Sequence, residues 1–421
     1  MKRFGAGLAT GADLVTAAEG AVRQAVAEVG GQTPDLMCVF VCGDDPEEVA
    51  AAGARADEVA GAGTTLGCSA GGVIGAGRAV EAAPSVSVWA AVLDGVRRRP
   101  FHLDSASVGD DLAVTGMPEP IADDTIALLL ADPYSFPVDG FIGRSHDAMP
   151  GLPLVGGLAS GSGGAGSTRL FLDGRVVDHG AVGVVLGTAT SRSLAAQPLV
   201  SQGCRPVGPT MAVTRAEGNQ VMELAGAPAL MQLQEIGATL SLEDQALLVE
   251  GLHIGLAMDE YADQHEHGDF LIRAVLGGDA ESGAMAIGDI VEVGGTVRFH
   301  VRDAEGATAD LLDALGRFRR KGRVNPVEGA LLFSGNGRGA ALFPSADHDA
   351  QIIAEHLAPS GVAGFFAAGE IGPVGGRNYL HGFTTSVLAF GPPVGVIDLT
   401  AGSAVPSSVS LKEELPGEAS A

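Results

Sequence analysis

At 421 residues, with 46% hydrophobic content and positive mean hydropathy, the chain is long enough for two domains with sizeable cores and too apolar for disorder. A net charge of -26 and a pI near 4.6 argue against binding nucleic acid or an anionic membrane surface, since both demand a basic face. Only Lys2, Lys321 and Lys412 among the 25 basic residues are lysines, and with 63 glycines this bias points to high-GC, bacterial coding.

Glycines interrupt the N-terminal segment, and no apolar run approaches the roughly 18 residues of a membrane span, so a cytoplasmic location is expected. Cys38, Cys42, Cys68 and Cys204 lack C-x-x-C spacing, which argues against disulfides and structural zinc.

In chain order, Phe4 to Leu8 reads as a strand, and Asp13 to Val29 as a helix with apolar residues at three-to-four spacing. Leu36 to Val41 is a buried strand, after which Asp44 or Asp45 can cap a helix from Pro46 to Ala60. Strands follow at Val86 to Leu93, Arg97 to Leu103 and Ile126 to Ala131, then a short helix reaching about Ala148 and the small-residue tract Gly156 to Gly166. Arg169 to Val177 and Ala181 to Leu186 read as a hairpin, and Thr188 to Gly208 as a crossing between domains.

Helices are expected at Ala227 to Ile236, Leu242 to Glu250 and Ala309 to Arg320, with strands at Val213 to Arg215, Val221 to Leu224, Leu252 to Ala257, Phe270 to Leu276, Ile290 to Val293 and Thr296 to Val301. The polar stretch Asp259, Glu260, Asp263, His265, Glu266, His267 and Asp269 has metal-ligand residue types without an i, i+4 His pair, and reads as a solvated connector; no metal or cofactor is expected. The Ser, Pro and Glu composition of 399–421 reads as a loose tail.

One pattern occurs twice. Gly67-Cys68-Ser69-Ala70-Gly71-Gly72-Val73-Ile74-Gly75 and Gly364-Phe365-Phe366-Ala367-Ala368-Gly369-Glu370-Ile371-Gly372 share five identities at an offset of 297. Each copy follows a strand and a helix (Leu36 to Val41 and Pro46 to Ala60; Ala330 to Ser334 and Asp347 to Leu357) and precedes a strand, as an internal duplication requires. The expected fold is a layered α/β protein of two related domains, each a largely β sheet flanked by helices.

The chemistry gathers in the second copy, where Glu370, Arg377, Asn378 and His381 are expected on one loop between strands. A carboxylate among apolar residues needs a partner, so Glu370 marks either a structural pair or a ligand contact. Gly67-Cys68-Ser69-Ala70-Gly71 satisfies G-x-S-x-G, but the glycines that follow oppose the helix of a nucleophile elbow, and the stretch reads as a tight turn with Cys68 as a buried thiol.

The GEIGP run with downstream Asn378 and LHGFTTS, the Ser334-Gly335-Asn336-Gly337-Arg338-Gly339 turn, the early GCSAGG and NQVMELAGAPAL at Asn219 to Leu230 together resemble the FIST family. The resemblance covers nearly the whole chain and implies a FIST N-like domain over 1–195 and a FIST C-like domain over 205–398. It implies sheets packed together about a pseudo-two-fold and an intracellular sensory module that binds a small polar ligand, such as an amino acid, and signals through a separate protein. Many relatives carry Cys where this chain has Gly335.

Arg338, Glu370, Asn378 and His381, with Asn336, Cys68 and Ser69, are then the candidate ligand-binding residues. Arg338 would meet a ligand carboxylate, and Glu370 an ammonium or Arg338 itself. No catalytic residue is assigned. The competing reading is a small-molecule hydrolase or acyl transferase using Cys68 or Ser69 with His381, or Glu370 with His381.

Overall fold

The computed structural model describes residues 3–108, 111–161, 163–188, 192–193, 195–260, 265, 268–322, 324–392 and 394–395. The expected tail 399–421, Ser162 of the glycine tract, and Asp263, Glu266 and His267 of the polar connector lie outside the described residues.

The first half runs β1 (Phe4–Thr10), α1 (Leu14–Glu28), β2 (Leu36–Cys42), α2 (Pro46–Ala60), β3 (Thr65–Ala70), β4 (Gly72–Gly75), β5 (Arg78–Glu81) and β6 (Ser85–Ala91). Next come β7 (Val96–Val108), β8 (Asp111–Thr115), β9 (Asp124–Ala131), α3 (Val138–Ala148), β10 (Leu154–Leu158), β11 (Leu170–Leu172), β12 (Arg175–Val177) and β13 (Ala181–Thr188). Asp45 caps α2 by accepting from Glu47 N at 2.8 Å, with Pro46 in the first turn where its missing N–H costs nothing.

The second half continues with β14 (Arg192–Ser193), β15 (Ala196–Ser201), β16 (Arg205–Glu217), β17 (Gln220–Leu224), β18 (Ala227–Pro228), α4 (Ala229–Thr239), α5 (Leu242–Gly251), β19 (His253–Ala257), β20 (Phe270–Gly278), β21 (Met285–Ile287) and β22 (Thr296–Val301). It closes with α6 (Ala304–Lys321), β23 (Gly329–Gly335), α7 (His348–Leu357), β24 (Gly361–Ala367), β25 (Glu370–Val374), β26 (Arg377–His381), β27 (Thr385–Phe390) and β28 (Val394–Gly395).

The duplication is visible in the sheets. One sheet has the order β1-β6-β2-β3-β11-β12 and another β15-β27-β23-β24-β4-β5, so the first four strands correspond one to one. Pairing directions match as well: antiparallel, antiparallel, then parallel in both. What differs is an insertion. In the first half α1 follows β1 directly, whereas between β15 and α6 the second half carries the strands β16 to β22, whose own sheet packs on α4 and α5 around Val213, Ile254 and Phe299.

The two corresponding sheets lie face to face. Along β2 the side chains of Met37, Val39 and Val41 join α1 and α2 in one core, while Leu36, Cys38, Phe40 and Cys42 face the other sheet. This two-sided burial is why the strand reads as an unbroken apolar run rather than an alternation. Across the middle Phe40 stacks on Phe365 at 4.9 Å and Trp89 lies 5.1 Å from Phe390. On the far side α6 and α7 cover Ala330, Leu332, Val387 and Ala389. A third sheet, β26-β25-β10-β9-β13-β7-β8, adds Leu128, Val155 and Val184 to the central core and packs α3 through Ile142.

The hairpins that follow the repeated strands tie the halves together. β4–β5 pairs with β24 of the other half, with Gly364 opposite Ile74, and β25–β26 pairs with β10, with Gly157 opposite Glu370. The turns correspond, since Ala76 and Gly77 have φ of 50° and 74°, and Gly375 and Gly376 of 58° and 82°. Two successive left-handed residues match the twist of a two-residue hairpin.

Four expectations are corrected. Glu370, Arg377, Asn378 and His381 do not share a loop; they sit on β25 and β26, because Gly375–Gly376 closes a tight turn and Pro373, opposite Asn378, is accommodated in the ladder. GCSAGG is no tight turn, since residues through Ala70 are the buried strand β3. Only β11 and β12 form the hairpin expected over Arg169 to Leu186; β13 instead inserts between β9 and β7 of the third sheet. Ile290 to Val293 forms no strand, and both Ile290 and Val293 are exposed.

Candidate functional site

The carboxyl ends of strands from both halves converge on a cleft of about 160 Å³. Its walls include Asp44 between β2 and α2, Pro46 at the start of α2, Ser69 near the end of β3, Ser160 after β10, Asn336 after β23 and Ala368 after β24. This is where ligands collect in α/β sheets, because strands stop there while their connections diverge. Ser160 Oγ closes the floor by accepting from Gly71 N at 2.9 Å and donating to Phe366 O, which joins the two repeated segments directly.

Two hydroxyls line this cleft with hydrogen-bonding capacity left over. Ser69 is 8% exposed and its Oγ accepts from Arg169 N at 3.1 Å, which leaves the hydroxyl proton without an acceptor among the described residues. Thr168 is 5% exposed, and its hydroxyl has no hydrogen-bond partner among the described residues. Thr168 was not singled out by the sequence, where it looks like any loop threonine. No Lys, Arg or His lines this cleft among the described residues.

Arg338 and Glu370 face neither this cleft nor the larger one described next. Arg338 is 1% exposed, and its fork is taken by Asp349, with Nε and Nη2 donating to the two carboxylate oxygens at 2.8 and 2.9 Å. Ser334 Oγ at 2.8 Å and Thr385 Oγ1 at 2.7 Å donate to the same carboxylate. Burial alone would raise the pKa of Asp349, but the Arg338 charge and these donors hold it well below the usual carboxylate range.

Asp349 lies in the first turn of α7 and was missed by sequence reading, since nothing distinguishes it there from a solvated first-turn acid. Glu370 is also buried; its Oε2 accepts from Thr384 N at 2.8 Å, and burial pushes its pKa up to about 8 against the opposing pull of that hydrogen bond and of Arg338 and Arg302.

Asn378 and His381 line a second, larger cleft of about 800 Å³ between α3, the β25–β26 hairpin and the inserted sheet. Asn378 acts as a strut. Its Oδ1 accepts from Leu154 N at 2.9 Å, and its Nδ2 donates to Leu152 O at 3.0 Å. His381 Nε2 lies 3.1 Å from Gly372 O, and burial, with Arg273 nearby, lowers its pKa to about 4 despite that carbonyl. Cys68 is fully buried in the central core, where desolvation and the neighbouring Cys38 push its thiol pKa well up. Ser69 and His381 line different clefts, so the serine and histidine of the competing reading are not brought together.

The fold and these clefts define a duplicated α/β protein whose signature turns close one cleft between two interlocked halves. Comparison with known families agrees: the FIST N domain matches residues 35–227 and the FIST C domain residues 229–373. The chain belongs to the FIST family, whose domains are associated with sensory roles in signal transduction. It is similar to an uncharacterized protein of Mycobacterium tuberculosis, with 41% identity over 388 residues, 92% of this chain and 99% of the relative. An uncharacterized protein of Mycobacterium bovis is 40% identical over 390 residues, 92% of this chain and 98% of its own. Among the described residues no helix is long and apolar enough to cross a membrane.

Proposed function

We propose that this protein is a bacterial intracellular sensor that binds a small polar ligand of the amino-acid class in the cleft between its halves and reports occupancy to a separate signalling protein. The observation that supports this reading is the convergence of Ser69 and Ala368, from the two repeated segments, and of Asn336, from the Ser334–Gly339 turn, on one cleft beside the spare hydroxyls of Ser69 and Thr168.

With Arg338 committed to Asp349, the ligand carboxylate is met by those hydroxyls and by the backbone N–H groups of Gly161 and Gly163, and the ammonium by Asp44 and carbonyl oxygens. A volume of about 160 Å³ suits a small amino acid such as glycine, alanine or serine. A ligand tying both halves together favours one closed arrangement, which is what a partner reads.

The test is a melting-temperature screen of the amino acids. A binder at one hundred times its dissociation constant stabilises the fold by about 2.7 kcal/mol. Ser69→Ala and Thr168→Val should each weaken binding by about 1 kcal/mol, roughly fivefold, and leave the unliganded protein folded. The reading fails if no amino acid shifts the wild type or if both variants respond as the wild type does.

A further inference from the structure

We propose that the larger cleft is a second, separate binding site, and that it takes an organic monocarboxylate with an apolar body. The anchor is Arg302, which directly follows β22 and lines the cleft. Its guanidinium lies 4.6 Å from the ring centroid of Phe383, and Nη2 reaches only Cys204 Sγ at 3.2 Å and Gly382 O at 3.5 Å. Nε is buried without an acceptor, and among the described residues no carboxylate pairs with Arg302. An arginine left so in a chain of net charge -26 is poised for an anion, because the planar fork matches a carboxylate.

The surrounding groups narrow the class. Arg273 is engaged, pairing with Asp289 at 2.8 Å and lying over the Tyr379 ring. His253, held 2.9 Å from Gly251 O, is kept neutral by burial and by Arg302, with its pKa lowered to about 4. Of the Arg and Asp residues lining the cleft, Asp289 is taken up by Arg273 and Asp139 offsets Arg377 in sign, which leaves the single charge of Arg302 and favours a monoanion over phosphate or a dicarboxylate. Ile142, Leu256, Leu271 and Leu380 supply an apolar wall, and Phe383 is 49% exposed. At about 800 Å³ the cleft is in the range of sites for medium-sized organic molecules and far larger than the strand-end cleft.

Phe383 also marks the place as built. It holds φ of 59°, a left-handed conformation that a bulky aromatic residue rarely adopts, and residues at functional sites are over-represented among such outliers. The backbone leaves it room because Gly335 and Gly337 pack against it; a Cβ on Gly337 would lie 2.0 Å from the Phe383 ring.

The experiment is calorimetric titration of the full chain with sodium phenylacetate and sodium octanoate, using benzylamine and inorganic phosphate as controls. Both acids should bind, and neither control should. Arg302→Gln should weaken acid binding at least tenfold, and Ser69→Ala should leave it unchanged. Should Arg302→Gln disturb folding, Ile290→Trp, which fills the cleft from an exposed wall position, should weaken the acids in its place. The proposal is overturned if neither acid binds, if phosphate binds as tightly as the acids, if the folded cleft variants bind as the wild type does, or if Ser69→Ala abolishes acid binding.

Discussion

Gly67 and Gly364 occupy the same position in the two halves. A Cβ on Gly67 would lie 2.1 Å from the carbonyl oxygen of Val39, and one on Gly364 would lie 1.7 Å from that of Leu332. Val39 and Leu332 are their register partners on the parallel neighbouring strands. Ordinary carbon–oxygen contacts are longer by more than an ångström, so each strand pair has closed to a spacing that only glycine permits.

Gly67→Ala and Gly364→Ala should therefore each destabilise by about 2 kcal/mol or more, because the obstructing atom is backbone and has no rotamer to escape into. Urea unfolding of the two variants measures this. A loss below ~0.5 kcal/mol in either would show that the sheet can open at that point and that the equivalence is not structural.

Removing either partner of the Arg338–Asp349 pair leaves a buried charge alone, at a cost of about 3 to 5 kcal/mol. Arg338→Ala and Asp349→Ala should thus lower the melting temperature sharply, and a double-mutant cycle should show strong coupling. Additive effects would mean that the pair does not fasten α7 to the Ser334–Gly339 turn.

Glu370 supplies a pH dependence. Its pKa is raised from 4.5 to about 8, so the folded state holds the proton more tightly than the unfolded chain. The stabilisation is complete below about pH 4.5 and is lost as pH rises towards 8. His253 and His381, lowered from 6.5 to about 4, act oppositely and only below pH 6.5, where acidification destabilises. Between pH 6.5 and 8 the Glu370 effect stands apart from theirs. Glu370→Gln keeps an acceptor for Thr384 N and cannot ionise, so it should flatten the fall in melting temperature across that window. An unchanged slope would rule Glu370 out as its source.

All four cysteines are buried, and burial raises the pKa of each thiol. Ellman's reagent should label none of them within minutes in the native protein and four after unfolding. Rapid native labelling of Cys68 would reopen the thiol chemistry that its core position argues against.

Much of the architecture was legible because periodicity and caps are local. The unbroken apolar run of β2, the Asp45-Pro46 start of α2 and the repeated glycine pattern each name their element without knowledge of a partner. The Glu370 to His381 hairpin was misread because glycine and proline signal a turn equally well in a loop and in a tight hairpin. The difference lies in β10, a strand over 200 residues away that accepts the pairing.

Sequence by itself determined the duplication, the family and the presence of a buried acid at Glu370, since all three are written in residue order and type. Tertiary structure alone decided which charges meet. Arg338 and Glu370 looked like ligand contacts until α7 delivered Asp349 to the Arg338 fork, while Arg302 and Thr168, unremarkable in sequence, came to line the two clefts. The physical reason is that a charged or hydroxyl side chain declares its chemistry locally, but whether that chemistry is already satisfied depends on groups that only folding brings within about 3 Å.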